Sequence, residues 1–309
     1  MTSSGLTQHS DVYSFIDPSQ FEHSLIGRTV LVTGAGRGIG KSIAIAFAKA
    51  DANVACLART SQEVDDVASH IRQLGHDGRI ISIRADITSQ SDLDQAMARI
   101  QSELGHIDIL INNAGVDRIG SFHEEEDFDA WWRVVEVNLK GSAACIYHVL
   151  RHMVQRNEGV IINIGSRNAI ATYRFMTAYS ASKAALLRLT QCVQLDVDNT
   201  NVNVFFVQPG NVATTLADGA YNALELERSP ELQGYVERMR QSMTGTRSDS
   251  PELVASTCVM LAAHGDSHFL RGLYLDAKQD LGALIAEVKK GKDGRVYAER
   301  LQSLKADLL

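Results

Sequence analysis

The chain has 309 residues, 45% of them apolar and 22% charged, which is ample material for a large core. Its 30 Lys and Arg against 37 Asp and Glu leave a net charge of −7 with no basic block, arguing against a nucleic-acid partner. No apolar run reaches the roughly 18 residues of a membrane span, the four cysteines form no C-x-x-C pair, and residues 1–20 lack the order of a secretory signal; a soluble, cytoplasmic protein with buried free thiols is expected.

Residues 1–24 are polar and mixed, an extension expected to lie over the surface or to be partly disordered. Strands and helices then alternate. RTVLVT (28–33) is a β-branched run ending in glycines, and IGKSIAIAFAKA (39–50) is helical in pattern. NVACLA (53–58) and RIISIRA (79–85) are the next strands, each followed by an amphipathic stretch, and IDILIN (107–112) is a fourth. Two helical stretches, 128–139 and 140–156, precede strand GVIINIG (159–165), a helix over 178–197 and strand NVNVFFVQPG (201–210). Strands this apolar, each followed by a helix, predict a parallel sheet covered on both faces, the doubly wound α/β class of the Rossmann type. Such folds bind ligands at the carboxyl ends of their strands.

Beyond Pro209-Gly210 the rhythm breaks. Residues 213–250 carry no strand signal and are too long for a plain connector, which predicts a lid or binding loop. A helix at 251–263, a short strand near GLYLD and a charged helical tail complete the chain. The expected organisation is one catalytic domain over 25–276 with the lid inserted at about 213–250, flanked by the 1–24 extension and a 277–309 helical tail.

TGAGRGIG (33–40) sits at the first strand-to-helix junction. Gly34, Gly38 and Gly40 permit a tight turn, and the free N–H groups of the helix that opens at Gly38-Ile39-Gly40 offer a pyrophosphate site. The position that usually carries a ribose-binding acid is occupied by Ala58, followed by Arg59, and Arg37 lies in the glycine loop itself. Two guanidiniums and no carboxylate suit a 2′-phosphate, so NADP(H) is favoured over NAD(H), although two surface arginines would look the same.

YSASK (179–183) places Tyr179 and Lys183 four residues apart on one helix face. A neighbouring ammonium favours a phenolate and is expected to draw the tyrosine pKa down from its usual value near ~10. Alone, Tyr-x-x-x-Lys is a common pattern and fits two polar residues on a wet helix face equally well.

Taken in order, Thr33-Gly34-x-x-x-Gly38-x-Gly40, Asp86, Asn112-Asn113-Ala114-Gly115, Asn138, Ser166, Tyr179-x-x-x-Lys183 and Pro209-Gly210 with Thr214 resemble the short-chain dehydrogenases/reductases over roughly residues 25–276. The resemblance implies Tyr179 as the acid/base, Ser166 as a hydroxyl on the substrate oxygen, Lys183 on the ribose hydroxyls and Asn138 holding a water in a proton relay. It implies Asp86 and Ile87 beside the adenine, Asn113, Ala114 and Gly115 beside the ribose, and Pro209, Gly210, Val212 and Thr214 near the nicotinamide. It further implies a homodimer or homotetramer with its seam on helices 140–156 and 178–197.

The reaction expected is NADP-dependent interconversion of a ketone or aldehyde and an alcohol. A non-redox nucleotide-binding protein, or an epimerase or dehydratase on the same scaffold, is the alternative. Asp117, Arg118, the 167–178 loop and the lid are expected to line the substrate pocket, with Tyr173, Phe175 and Met176 favouring an apolar or aromatic ligand. The pair His148 and His152 lacks a third ligand, and no metal is expected. The run Glu124-Glu125-Glu126-Asp127 reads as a solvated loop and helix start.

Overall fold

The computed structural model describes residues 6–213, 216, 220–221, 223–242 and 248–291. Its centre is a seven-stranded parallel sheet: β1 (Thr29–Thr33), β2 (Asn53–Ala58), β3 (Ile80–Arg84), β4 (Ile109–Asn112), β5 (Gly159–Ile164), β6 (Val202–Gln208) and β7 (Tyr274–Asp276). The spatial order is β3-β2-β1-β4-β5-β6-β7, so the winding reverses between β1 and β4. A crevice opens above that reversal at the carboxyl ends of the strands.

Side chains alternate along each strand and feed two cores. Val30, Val32, Val54, Cys56, Ile109, Ile111, Ile162 and Phe205 face one layer, made by α1 (Gly38–Lys49), α2 (Ser61–Gln73), α9 (Pro251–Ala263) and α10 (Leu281–Val288). Leu31, Leu57, Ile81, Leu110, Ile161 and Val204 face the other, made by α3 (Gln90–Glu103), α5 (Ser142–Arg156) and α6 (Thr177–Asp196). Burial on both faces is why the strands read as unbroken apolar runs.

Three elements depart from the sequence expectations. The predicted helices over 128–156 are one rod: α4 (Phe128–Val135) runs through a π turn at Glu136–Gly141 into α5. Part of the predicted lid is helical, with α7 (Ala223–Arg228) and α8 (Pro230–Ser242) packing Leu232 and Val236 against Ile119, Phe175 and Met176. The extension is tied down from Leu6 onward, burying Ile16 completely and Phe21 and Leu25 nearly so. Its Tyr13 hydroxyl donates to Gln279 O at 3.1 Å and accepts the Leu281 N–H at 2.9 Å, clasping the start of α10. Among the described residues no helix is long and apolar enough to cross a membrane.

Candidate active site

A cleft of about 860 Å³ lies along the strand ends, from the glycine turn to the 209–212 segment and the lid helix α8. At its first end, Gly34 holds φ +65, and a Cβ there would stand 2.8 Å from Ala114 Cα. The turn is braced from β4: the Asn113 side-chain amide donates to Thr33 O at 3.0 Å and Gly34 O at 3.1 Å. Asn113, expected beside the ribose, therefore spends its amide on the turn and presents the cleft with the rest of the residue. A Cβ on Gly40 would lie 2.1 Å from Gly34 O, so the helix can pack this close only with glycine there. Arg37 caps α1 without a side-chain hydrogen bond, leaving the first helical N–H groups free toward the cleft. That arrangement fits a dinucleotide pyrophosphate.

Arg37 in the glycine turn and Arg59 just past β2 both line the cleft. A carboxylate missed in the sequence lies beside them: Glu63 Oε1 is 3.7 Å from Arg37 Nη1 and lines the same wall. Glu63 sits in the first turn of α2, five residues beyond the usual acid position at Ala58, which is why its spacing gave no signal. Asp86 and Ile87 line the next stretch. Asp86 is held below the usual carboxylate range: burial raises it, but the Thr88 N–H and hydroxyl and the Arg133 guanidinium, 2.7 Å away, prevail.

The opposite end gathers Ser166, Tyr179 and Lys183. Ser166 follows β5, and its hydroxyl lies near enough to the Tyr179 phenol to act on its titration. Its Oγ also accepts the Asn168 N–H at 3.2 Å and lies 3.1 Å from Asn168 Oδ1, while the Asn168 amide reaches Ser180 on α6. Asn168 thus orients the serine and is a site residue that its place in a loop concealed. Lys183 Nζ donates to Ile164 O at 2.8 Å and lies 5.6 Å from the Tyr179 ring centroid.

The charges correct one expectation. Burial, and then the Asp117 carboxylate, push the Tyr179 pKa above its ordinary value, opposed by the Ser166 hydroxyl. Burial pulls Lys183 down to about 8, with Asp117 opposing. The ammonium therefore does not make the phenol acidic here; the phenol is held neutral. Asn138 lies in the π turn beneath this site. Its side chain is fully engaged, accepting the Val116 N–H at 2.9 Å and donating to Val116 O and Ser182 Oγ at 3.0 Å each. It is buried outside the cleft lining, and its backbone carbonyl in the π turn accepts the Ser142 hydroxyl at 3.0 Å.

Pro209, Gly210 and Val212 line the cleft beyond β6, and Thr214 lies outside the described residues. Other expectations resolve more simply. Cys56, Cys145 and Cys258 are buried, but Cys192 is exposed on α6. Of the acidic run, Asp127 caps α4, whereas Glu125 is a buried partner of Arg118 at 2.7 Å and 2.9 Å rather than a solvated residue. No metal-holding group of His, Cys, Asp or Glu occurs among the described residues.

Residues 28–224 match the family model of the short chain dehydrogenases. A short chain dehydrogenase of Pseudocercospora fijiensis is 33% identical over 97% of this chain and 96% of its own length. The 2,3-dihydro-2,3-dihydroxybenzoate dehydrogenase of Bacillus subtilis is 28% identical over 83% of this chain and 97% of its own. Among solved structures, a 3-oxoacyl-[acyl-carrier protein] reductase of Brucella melitensis with bound NAD superposes with a TM-score of 0.70 at 26% identity, covering 87% of this chain and 97% of that one. With a switch-point cleft, a glycine turn at a helix start and this sequence likeness across its length, the chain belongs to the short-chain dehydrogenase/reductase family.

Proposed function

We propose that the protein is an NADP-dependent carbonyl reductase that returns an alcohol, with Tyr179 as proton donor. The observation that carries this reading is the convergence of Tyr179, Ser166 and Lys183 in the cleft whose other end holds the free N-terminus of α1. When bound, the nicotinamide ring supplies hydride to the carbonyl carbon. The chain's own residues handle the oxygen. Ser166 positions it and stabilises the charge that develops there, and Tyr179 passes its hydroxyl proton to it. Lys183 keeps a positive charge under the resulting phenolate until the proton is replaced from solvent. Burial that holds Tyr179 neutral favours this direction, because a donor must start protonated.

Gly34, Arg37, Gly38, Ile39, Gly40, Arg59, Asp86, Ile87, Asn113, Ala114, Gly115, Pro209, Gly210, Val212 and Thr214 are assigned to the cofactor. The choice of NADP(H) rests on Arg37 and Arg59, and Glu63 beside them works against it. Each charged hydrogen bond to a phosphate contributes about 1.5–3 kcal/mol, so Arg59→Asp should weaken NADPH by roughly 10- to 100-fold and spare NADH. Titration of both cofactors into both proteins decides it, and unchanged NADPH affinity would reverse the assignment. A self-associated state is also proposed, supported by Tyr147 on α5 and Leu195 on α6, which are 79% and 74% exposed. Light scattering on the purified chain tests it, and a monomer at micromolar concentration would refute it.

The reaction itself is tested by following loss of reduced-nicotinamide absorbance with a panel of ketones and aldehydes and each cofactor. Turnover of at least one carbonyl with NADPH is expected. No turnover of any, with cofactor bound, would favour a binding role.

A further inference from the structure

Asp117, half-buried, stands one strand end away from the proposed chemistry. It lines the cleft, and its backbone neighbour Val116 is clamped by Asn138, which also holds Ser182 on α6. The carboxylate lies near enough to Tyr179 and Lys183 of α6 and Tyr235 of α8 for its charge to act on all three. Oδ1 accepts the Arg118 N–H at 2.7 Å. Oδ2 has no partner among the described residues. The adjacent cation cannot serve it, because the Arg118 guanidinium is turned to Glu125. A half-buried carboxylate oxygen on the cleft wall with no protein donor is open to a hydrogen bond from a ligand.

The surroundings narrow that ligand. Tyr173, Met176, Leu216, Tyr235 and Met239 make an apolar and aromatic wall beside Asp117. Lys183, Arg167 and Arg238 line the same cleft, so a cationic group would meet like charge there. A neutral donor on an apolar body satisfies both conditions.

Resting on the carbonyl-reduction reading, we propose that Asp117 anchors a hydroxyl of the substrate, which is a ketone on an apolar or aromatic frame with that hydroxyl a few bonds from the reacting carbon. The hydroxyl donates to Oδ2 while the carbonyl oxygen lies between Ser166 and Tyr179. Two fixed points orient the frame and choose which face of the carbonyl is presented. Burial raises the Asp117 pKa to about 7, opposed by the Arg118 N–H and Lys183, so the acceptor strengthens as pH rises through that value.

The test uses acetophenone and its 2′-, 3′- and 4′-hydroxy isomers with NADPH, on the full chain and on Asp117→Asn and Asp117→Ala. At least one hydroxylated isomer should exceed acetophenone in kcat/KM by about 10- to 100-fold, the range of a charged hydrogen bond. That ratio should grow as pH rises through about 7, shrink in Asp117→Asn and approach one in Asp117→Ala. A ratio identical in all three proteins would overturn the anchor while leaving carbonyl reduction standing. Calorimetric titration of the four ketones into the NADPH-loaded proteins gives the same decision without turnover. If no ketone reacts, the reaction assignment fails, yet tighter hydroxyketone binding lost in Asp117→Ala would still uphold the anchor, and equal binding would overturn it. Asp117→Asn keeps an acceptor for the Arg118 N–H and serves if the alanine variant folds poorly.

Discussion

Tyr179 is kept as a neutral phenol by its burial and by the Asp117 carboxylate, and this decides how its neighbours titrate. Across neutral pH the donor keeps its proton, so the activity limb should belong to Lys183, whose ammonium is drawn down to about 8. Reduction rates are expected to fall as pH rises through about 8, and Lys183→Met should lower kcat by at least ~100-fold and abolish that limb. A pH–rate profile of the two proteins checks this. Asp117 makes a separate prediction about stability. Its folded pKa of about 7 lies above the ordinary 3.8, so the folded chain holds its proton more tightly. The resulting stabilisation is complete below 3.8 and is lost as pH rises to about 7. Asp117→Asn should therefore gain thermal stability relative to the wild type between those pH values, and a constant difference in Tm from pH 4 to pH 8 would refute the shift. None of this was readable from the sequence, where Tyr179 and Lys183 are simply four residues apart. Desolvation and the charge of Asp117, 62 positions earlier in the chain, depend on how the strands assemble.

The π turn at Glu136–Gly141 and the lid helices are the elements that shape the cleft, and they are the ones the sequence pattern conceals. The strands were legible because both faces are buried, and so was the glycine turn, whose residue types are demanded by its close packing. Helix α8 exposes most of its surface and buries only Leu232 and Val236, so its apolar stripe is too thin to stand out among Gly, Arg and Gln. Polar ties on the neighbouring α7 add to that apolar docking. Glu225 on α7, 3% exposed, accepts both the backbone N–H of Ser121 at 2.8 Å and its hydroxyl at 2.6 Å. Glu225→Ala should loosen the lid, raising KM several-fold and speeding proteolysis within 223–242, with kcat less affected; unchanged KM and unchanged cleavage would show that the lid is held elsewhere. In the π turn, Asn138→Ala would strand the Val116 N–H and carbonyl in a partly buried site, at a cost of up to about 1–3 kcal/mol. Denaturant unfolding measures that loss, and it should come with weaker cofactor binding because Gly115 and Val116 form the cleft wall.

The molecule as a whole is closed by its two extensions, which meet on the sheet layer behind the cleft. A polar arm of mixed composition gives no periodic signal, yet Ile16, Phe21 and Leu25 belong to the core around α9 and α10. Leu→Ala-type truncations of buried aliphatic side chains cost about 2–5 kcal/mol, so Ile16→Ala should lower Tm by several degrees, whereas a loosely laid arm would give no measurable change. The clasp also reaches the active cleft. Ser10 O accepts the Ser250 N–H at 2.8 Å, next to Asp249, which ties Asn211 and Lys278 at the 209–212 end of the cleft. The central claim remains that hydride passes to a carbonyl carbon while Tyr179 protonates its oxygen. The most direct measurement is reduction of an accepted ketone by wild type and Tyr179→Phe, with NADPH affinity titrated in parallel. Turnover should fall by at least ~1000-fold with affinity changed less than about threefold; retained turnover in the phenylalanine variant would contradict the account.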